Sequence, residues 1–292
     1  GFDVAFQEIF STLSAGGELV LIDEEVRFSP AALFRLIVER RIQRVFLPYI
    51  ALQLLADGFA SVSKSLPVGD SIVCDLREVI TAGEQVRIDS RILHLFNSLS
   101  GLRLINQYGP TESHVVTCFW LPVSTSEWPA LPPIGKPVSN SRIYILDADG
   151  QTAPVGVAGE LFIGGICVAS GYLNRPDLTV ERFLPDPFTA ETGARMYKTG
   201  DLAKWREDGN IEYLGRNDFQ VKIRGFRVEL GEIEARLAEF PEIHDVAVVA
   251  REDTAGVKRL VAYYTAKNRD HLVGGDVLRR HLSSLLPDYM LP

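Results

Sequence analysis

Cysteine is scarce in this sequence. Three thiols, Cys74, Cys118 and Cys167, stand among 292 residues, too few and too scattered for a disulfide framework or a zinc cluster. A reducing, cytoplasmic setting is the expectation. Long apolar runs are missing as well: none approaches the ~18 residues that span a bilayer, and nothing in the opening residues reads as a signal peptide. Positive charge is in deficit. Thirty Lys+Arg against 38 Asp+Glu leave a formal net charge of −8, which argues against a nucleic-acid-tracking surface and a polybasic membrane patch. A small anionic ligand remains compatible, because loops and helix N-termini set the field inside a cleft. Of the five histidines, His94, His244, His271 and His281 have no ligand spacing. His114, beside Glu112, reads as a packing or hydrogen-bonding residue at a helix start rather than a general base.

What is present is ordinary for a soluble globular enzyme of about two domains: 46% hydrophobic and 23% charged residues. Up to about residue 116, helical stretches alternate with short apolar runs. Residues 3–15 read as helix and Leu19-Val20-Leu21-Ile22 as a buried strand. Pro30 suits a helix start leading into Ala31–Arg40. Strand runs follow at Val45–Leu47, Val79–Thr81 and Leu102–Ile105, with a helix over 88–98. This alternation predicts a largely parallel sheet covered by helices. Over 117–215, prolines punctuate short strand candidates, Arg142–Leu146 and Glu160–Ile163 among them, so a β-rich portion is expected. From about 218, Val221-Lys222-Ile223-Arg224 alternates apolar and cationic residues, which puts both cations on one strand face. Leu230, Ile233, Leu237 and Phe240 recur at helical spacing. Strands at Val246–Val249 and Leu260–Tyr264 precede a helix near 275–286. The fold class is α/β: part of a large α/β subdomain with a β-rich portion, over 1–217, joined by a hinge to a small C-terminal α+β subdomain, over 218–292.

Three stretches carry chemistry. Asn106-Gln107-Tyr108-Gly109-Pro110-Thr111-Glu112 follows a strand and combines a flat aromatic, a sharp turn, a hydroxyl and a carboxylate. In an open α/β sheet, ligands bind beyond the carboxyl ends of strands. There, Tyr108 would stack on a base, Thr111 donate to a phosphate and Glu112 hold Mg²⁺; the plainer alternative is a surface turn with a capping threonine. Tyr197-Lys198-Thr199-Gly200-Asp201-Leu202 offers a carboxylate on a turn, suited to ribose hydroxyls, although Thr-Gly-Asp is a common loop tripeptide. Gly215-Arg216 to Gly231-Glu232 is either a solvated charged hairpin or, given glycines at 215, 225 and 231, a segment with tight backbone requirements.

In this order, and together with Gly159-Glu160-Leu161-Phe162-Ile163-Gly164-Gly165 to Gly171-Tyr172-Leu173, Phe2-Asp3-Val4-Ala5 and Leu286-Pro287-Asp288-Tyr289-Met290-Leu291-Pro292, these stretches resemble the adenylation domains of non-ribosomal peptide synthetases. That family sits in the superfamily of acyl-CoA synthetases and firefly-type luciferases. The resemblance covers essentially the whole chain. It implies ATP- and Mg²⁺-dependent conversion of an amino acid to an aminoacyl-adenylate. Transfer to the phosphopantetheine thiol of a peptidyl carrier domain follows, with a condensation domain of the same synthetase as a further neighbour. It assigns Tyr108 and Gly109 to the adenine side, Thr111 to the phosphates and Glu112 to Mg²⁺. Gly83 and Glu84 line the nucleotide site, Asp201 takes the ribose, and Tyr213 and Arg216 flank it. Asp218 falls at the hinge, and Lys222 and Gly225 on the strand and loop that serve thioester formation.

The resemblance also assigns an amino-acid pocket: Asp3, Val4, Gln7, Phe46, Ile80, Ala82, Gln107, Val115 and Val116. Asp3 would pair with the substrate's α-amino group, since a desolvated carboxylate needs a cationic partner. A helix over 3–7 would put Asp3 and Gln7 on one face. Apart from Asp3 the lining is uncharged, which excludes a charged substrate side chain. The series resembles pockets that select proline, with Gln107 where His is usual, so proline or a ring-substituted imino acid is expected; neighbouring aliphatic amino acids stay open, since a methylene is worth only ~1–3 kcal/mol. The family's phosphate loop and its C-terminal catalytic lysine would lie before and after these residues, so the stretch alone is expected to be a poor catalyst. Cys167 and Ser170 stand where glycine and arginine are usual. An acyl- or aryl-CoA ligase and a non-catalytic nucleotide-binding piece are the alternatives.

Overall fold

The computed structural model describes residues 4–65, 67, 72–217, 220–223, 226–254, 257–267 and 273–292. The chain divides into two compact units, Gly1–Asn217 and Asp218–Pro292. The first opens with helices α1 (Val4–Ser14), α2 (Glu24–Phe28) and α3 (Pro30–Glu39). There follow β1 (Arg44–Pro48), α4 (Tyr49–Lys64), β2 (Glu78–Ala82), α5 (Ser90–Ser98), β3 (Arg103–Tyr108), β4 (Thr117–Trp120) and β5 (Lys136–Pro137). The caps explain where helices start. Ser29 accepts from the Ala32 amide ahead of Pro30, and Asp89 accepts from the amides of Arg91 and Ile92; each satisfies donors that a helix start leaves unpaired.

The strands of this first sheet lie in the order β1-β2-β3-β4-β5. Strands β1, β2 and β3 are parallel, whereas β4 and β5 run antiparallel. The sheet is therefore mixed rather than largely parallel, because the short connection from β3 to β4 allows only a reversal, while parallel neighbours need long crossovers. Alternation divides the two faces. Val79 and Leu104 are fully buried in a core with Phe34, Leu52, Leu55 and Leu95 from the covering helices, each side chain contributing ~1.5–3 kcal/mol by leaving water. Phe46, Ile80 and Ile105, mutual register partners, project to the opposite face and belong to none of that core.

Helix α4 was not predicted. Its apolar residues Leu52, Leu55, Ala56 and Phe59 have helical spacing, but Gly58 hides the pattern. That glycine is demanded by close packing of α3 on α4: a Cβ there would stand 2.0 Å from the Pro30 carbonyl oxygen. The expected strand at Leu19–Ile22 is absent. These residues are irregular, with Leu21 83% and Ile22 42% exposed; no described strand pairs with the run, and an unpaired apolar segment gains neither ladder bonds nor burial.

The β-rich portion is a second sheet. It contains β6 (Ser141–Leu146), β7 (Gly159–Gly165), β8 (Phe183–Pro185), β9 (Arg195–Trp205) and β10 (Ile211–Arg216), with helix α6 (Pro176–Arg182) before β8. The order is β10-β9-β7-β6, all antiparallel, with β8 on β9. The second unit pairs β11 (Gln220–Ile223) with β12 (Phe226–Glu229), continues with α7 (Leu230–Ala238), pairs β13 (Ile243–Thr254) with β14 (Val257–Ala266), and ends with α8 (Gly275–Ser283). Its own core gathers Val228, Ile233, Leu237 and Leu282, the α7 residues at the predicted spacing.

Candidate functional site

Because β1, β2 and β3 are parallel, their carboxyl ends lie at one edge of the sheet, and the loops following β2 and β3 open there. After β2 the chain turns at Gly83, φ +91°, with Glu84 half-buried beside it. After β3 it makes a tight excursion from Tyr108 to Val116, closed by the Val116 amide donating to the Tyr108 carbonyl at 2.8 Å. Gly109 is obligatory in that closure, since a Cβ would sit 1.7 Å from the His114 carbonyl oxygen. His114 occupies a left-handed turn conformation, φ +58°, not the helix start expected for it. Its Nε2 is buried without a partner. Thr111 is exposed at the tip, and Glu112 is buried next to it.

The tyrosine at the root of this loop reaches the second sheet. Its hydroxyl donates to Asp201 Oδ2 at 2.5 Å. On Asp201 Oδ1 converge the Arg216 guanidinium at 2.8 Å and the Tyr213 hydroxyl at 3.4 Å. Asp201 is 2% exposed, so its charge depends on these donors. Burial, and then the neighbouring carboxylate, push the Tyr108 phenol well above its ordinary pKa, which keeps it a donor at neutral pH. Arg216 also donates to the Thr199 carbonyl at 3.0 Å, and the Thr199 hydroxyl accepts from the Asp201 amide. Tyr197, Thr199 and Asp201 occupy alternate positions of β9 and are all buried, a period-two signal that sequence reasoning overlooked.

Tyr213 and Arg216 are three residues apart, which on a regular strand would face opposite ways. A bulge resolves this. Across β9–β10 the register runs Tyr213↔Ala203, then Gly215↔Leu202 and Arg216↔Asp201. Leu214 is the extra residue, and the shift turns both side chains toward one carboxylate.

Glu112 has its own support. The Tyr172 hydroxyl donates to Glu112 Oε1 at 2.5 Å and lies 3.4 Å from the Tyr197 hydroxyl. Burial, followed by these hydrogen bonds, raises the Tyr172 pKa far above the ordinary phenol range. Among the described residues no group of three or more His, Cys, Asp or Glu could hold a metal. The buried Glu112 carboxylate is an oxygen donor of the kind Mg²⁺ accepts. A sugar hydroxyl is also compatible chemically: the carboxylate of Asp201 has further acceptor capacity beyond its present donors, among them the hydroxyls of two tyrosines.

The expected amino-acid pocket divides between α1 and the sheet face opposite the main core. Phe46 and Ile80 are register neighbours there, Ala82 lies two residues beyond Ile80, and Gln107 two beyond Ile105. Val4, Ile80, Ala82 and Val116 are buried; Gln7, Phe46, Gln107 and Val115 are half-buried. Gln7 Oε1, Ser11 Oγ and Gln107 Oε1 are buried without partners. Helix α1 touches β1 and turns an apolar stripe, Phe6, Ile9, Phe10 and Leu13, outward; Ser11 shares the inward side with Val4 and Gln7. Asp3, Asp218, Arg224, Gly225 and the Lys222 side chain lie outside the described residues. A separate cleft of about 290 Å³ between Gly165–Val168 and Glu191–Arg195 is lined by none of the expected site residues. Among the described residues, no helix is long and apolar enough to cross a membrane.

Comparison with known proteins bears on this arrangement. Residues 1–173 match the family described as AMP-binding enzyme, and residues 232–292 match the AMP-binding enzyme C-terminal domain. The chain is 44% identical over 294 residues to Gramicidin S synthase 2 of Brevibacillus brevis, covering 100% of itself and 6% of that protein. To Tyrocidine synthase 2 of Brevibacillus parabrevis it is 44% identical over 291 residues, spanning 8% of that protein's length. Among solved structures, IdnL1 superposes with a TM-score of 0.83 at 26% identity, over 100% of this chain and 57% of that one. PA1221, a protein containing adenylation and PCP domains, gives 0.76 at 29% identity, over 100% and 55%.

Proposed function

This chain belongs to the AMP-binding enzyme family, and from that premise we propose that it activates an amino acid with ATP within a longer peptide synthetase. The carboxylate oxygen of the amino acid attacks the α-phosphorus of ATP, the bond to the leaving oxygen breaks, and pyrophosphate departs. The acyl group then passes from the aminoacyl-adenylate to the phosphopantetheine thiol of a carrier domain, with AMP leaving. The adenylation and PCP domains that PA1221 contains support a carrier domain as partner; a condensation domain of the same synthetase is the further neighbour in this proposal.

One observation carries the reading: a buried carboxylate, Asp201, held by Tyr108, Tyr213 and Arg216 at the carboxyl edge of the parallel strands. In the proposed complex the Tyr108 ring lies under adenine and Asp201 receives the ribose hydroxyls. Gly83, Glu84 and Gly109 supply close backbone, and the exposed Thr111 hydroxyl donates to phosphate. Glu112 would hold Mg²⁺, which supplies charge neutralisation to the phosphate oxygens when bound. Positioning and electrostatics thus account for the protein's part in the first step. Lys222 and Gly225 serve the second, with Asp218 as the hinge.

For the substrate, Asp3 is proposed to receive the α-ammonium, with Val4, Gln7, Phe46, Ile80, Ala82, Gln107, Val115 and Val116 around the side chain. Proline or a ring-substituted imino acid suits an uncharged, largely apolar lining. The unpartnered polar atoms of Gln7 and Gln107 favour a substrate that brings hydrogen-bonding groups, because a buried unmet acceptor costs ~1–3 kcal/mol.

Pyrophosphate exchange across the amino acids, in a chain of the solved relatives' length, tests the proposal. Imino acids are expected to lead, and Asp3→Ala to abolish the exchange. Exchange that persists in Asp3→Ala favours an acyl- or aryl-CoA ligase instead, whose substrate would leave that carboxylate without a cation.

A further inference from the structure

Glu112 is gripped twice by one distant segment. Its backbone carbonyl accepts from the Ala169 amide at 2.8 Å, and its carboxylate accepts from the Tyr172 hydroxyl at 2.5 Å. The segment carrying those donors is itself fixed. The Arg195 guanidinium donates to the carbonyls of Ala169 and Ser170 at 3.0 and 2.9 Å, and the Tyr172 amide donates to Thr179 Oγ1 at 2.9 Å. The Tyr172 ring packs edge-on against Phe183, centroids 5.3 Å apart, with the Tyr197 hydroxyl 3.4 Å from its own. A phenol anchored through its ring and its amide, whose hydroxyl ends on one oxygen of a buried carboxylate, restricts the orientation of that carboxylate.

We propose that Tyr172 is a positioning residue for Glu112: it orients the carboxylate so that the metal–nucleotide complex is bound without first paying to order it. The inference rests on the adenylation reading of the site. Outer hydrogen-bond partners of a metal-binding carboxylate typically matter 10–100-fold in metal affinity. Arg195 acts one step further out, holding the segment by its carbonyls.

The test is Tyr172→Phe, which deletes one hydroxyl and keeps the ring against Phe183. Binding of Mn²⁺–ATP, followed by electron paramagnetic resonance, gives a readout apart from turnover; the Mg²⁺ dependence of pyrophosphate exchange gives a second. Both half-saturation concentrations for metal are expected to rise about tenfold, with the amino-acid KM at saturating metal unchanged and the thermal midpoint lowered by no more than the loss of one hydrogen bond to a buried carboxylate. Should the variant lose more stability than that, Tyr172→His, which restores a donor on a ring, is expected to recover part of the metal affinity; no recovery overturns the inference. Unchanged metal dependence in Tyr172→Phe, beside a wild type that binds metal–nucleotide, overturns it and leaves the adenylation reading intact. A wild type that binds no metal–nucleotide overturns both.

Discussion

Removing Arg216 tests the central cluster most directly. In Arg216→Met the aliphatic stem is kept and the charge lost, while Asp201 stays behind with side-chain exposure of 3% against 10% for the arginine. Breaking a buried pair by deleting one partner costs ~3–5 kcal/mol, because the remaining charge is stranded. Here the hydroxyls of Tyr108 and Tyr213 still donate to the carboxylate, so the lower end, about 3 kcal/mol, is expected. For a unit of this size each kcal/mol moves the thermal midpoint by ~2–4 °C, which predicts a fall of ~6–12 °C. Calorimetry or circular dichroism melts measure it. A second variant separates charge from contact: Asp201→Asn combined with Arg216→Met removes the stranded anion and is expected to be more stable than Arg216→Met alone. If Arg216→Met costs less than ~1 kcal/mol, the level of a solvent-exposed pair, or if the double variant is as unstable as the two single losses added, the buried-charge account is wrong.

Two further outcomes follow from geometry already described. Gly109→Ala places a methyl 1.7 Å from the His114 carbonyl oxygen, so the loop must open and the Tyr108–Val116 backbone bond is lost; overpacking and that bond together predict a loss of ~2–4 kcal/mol in urea denaturation, and an unchanged midpoint would contradict it. Asp89 caps α5. Burial pushes its carboxyl upward, but the amides of Ile92 and Arg91 and the Arg91 guanidinium outweigh burial and hold it below its usual pKa. A depressed folded pKa means stabilisation complete above the unfolded value of ~3.9 and lost as pH falls through the folded one. Asp89→Ala should therefore cost ~1 kcal/mol at neutral pH and progressively less in acid; an equal gap at pH 7 and in strong acid would exclude the titrating cap.

Much of the scaffold was legible because local and global signals agreed. Pro30 marks the start of α3, apolar runs mark β1, β2 and β3, and Leu230, Ile233 and Leu237 mark α7. Elsewhere a tertiary demand concealed the local pattern, as Gly58 does in α4, or a local pattern lacked the partner it required, as at Leu19–Ile22. The candidate site was legible as residue types but not as a geometry. Tyr213 and Arg216 reach the same carboxylate only because Leu214 is bulged out of register, and no rule of alternation foresees a bulge. Tyr172 was visible within its motif, yet its contact with Glu112 spans 60 residues, a separation over which sequence spacing carries no information.

The short bond from Tyr108 to Asp201 also ties together the two sheets of the first unit, since β3 belongs to one and β9 to the other. If the proposed site takes a sugar diol, the newcomer would meet a carboxylate that is already partly claimed: three donors sit on it and little acceptor capacity remains. Whatever did not fit beside the tyrosine would have to displace it, and would then undo a stitch between the sheets.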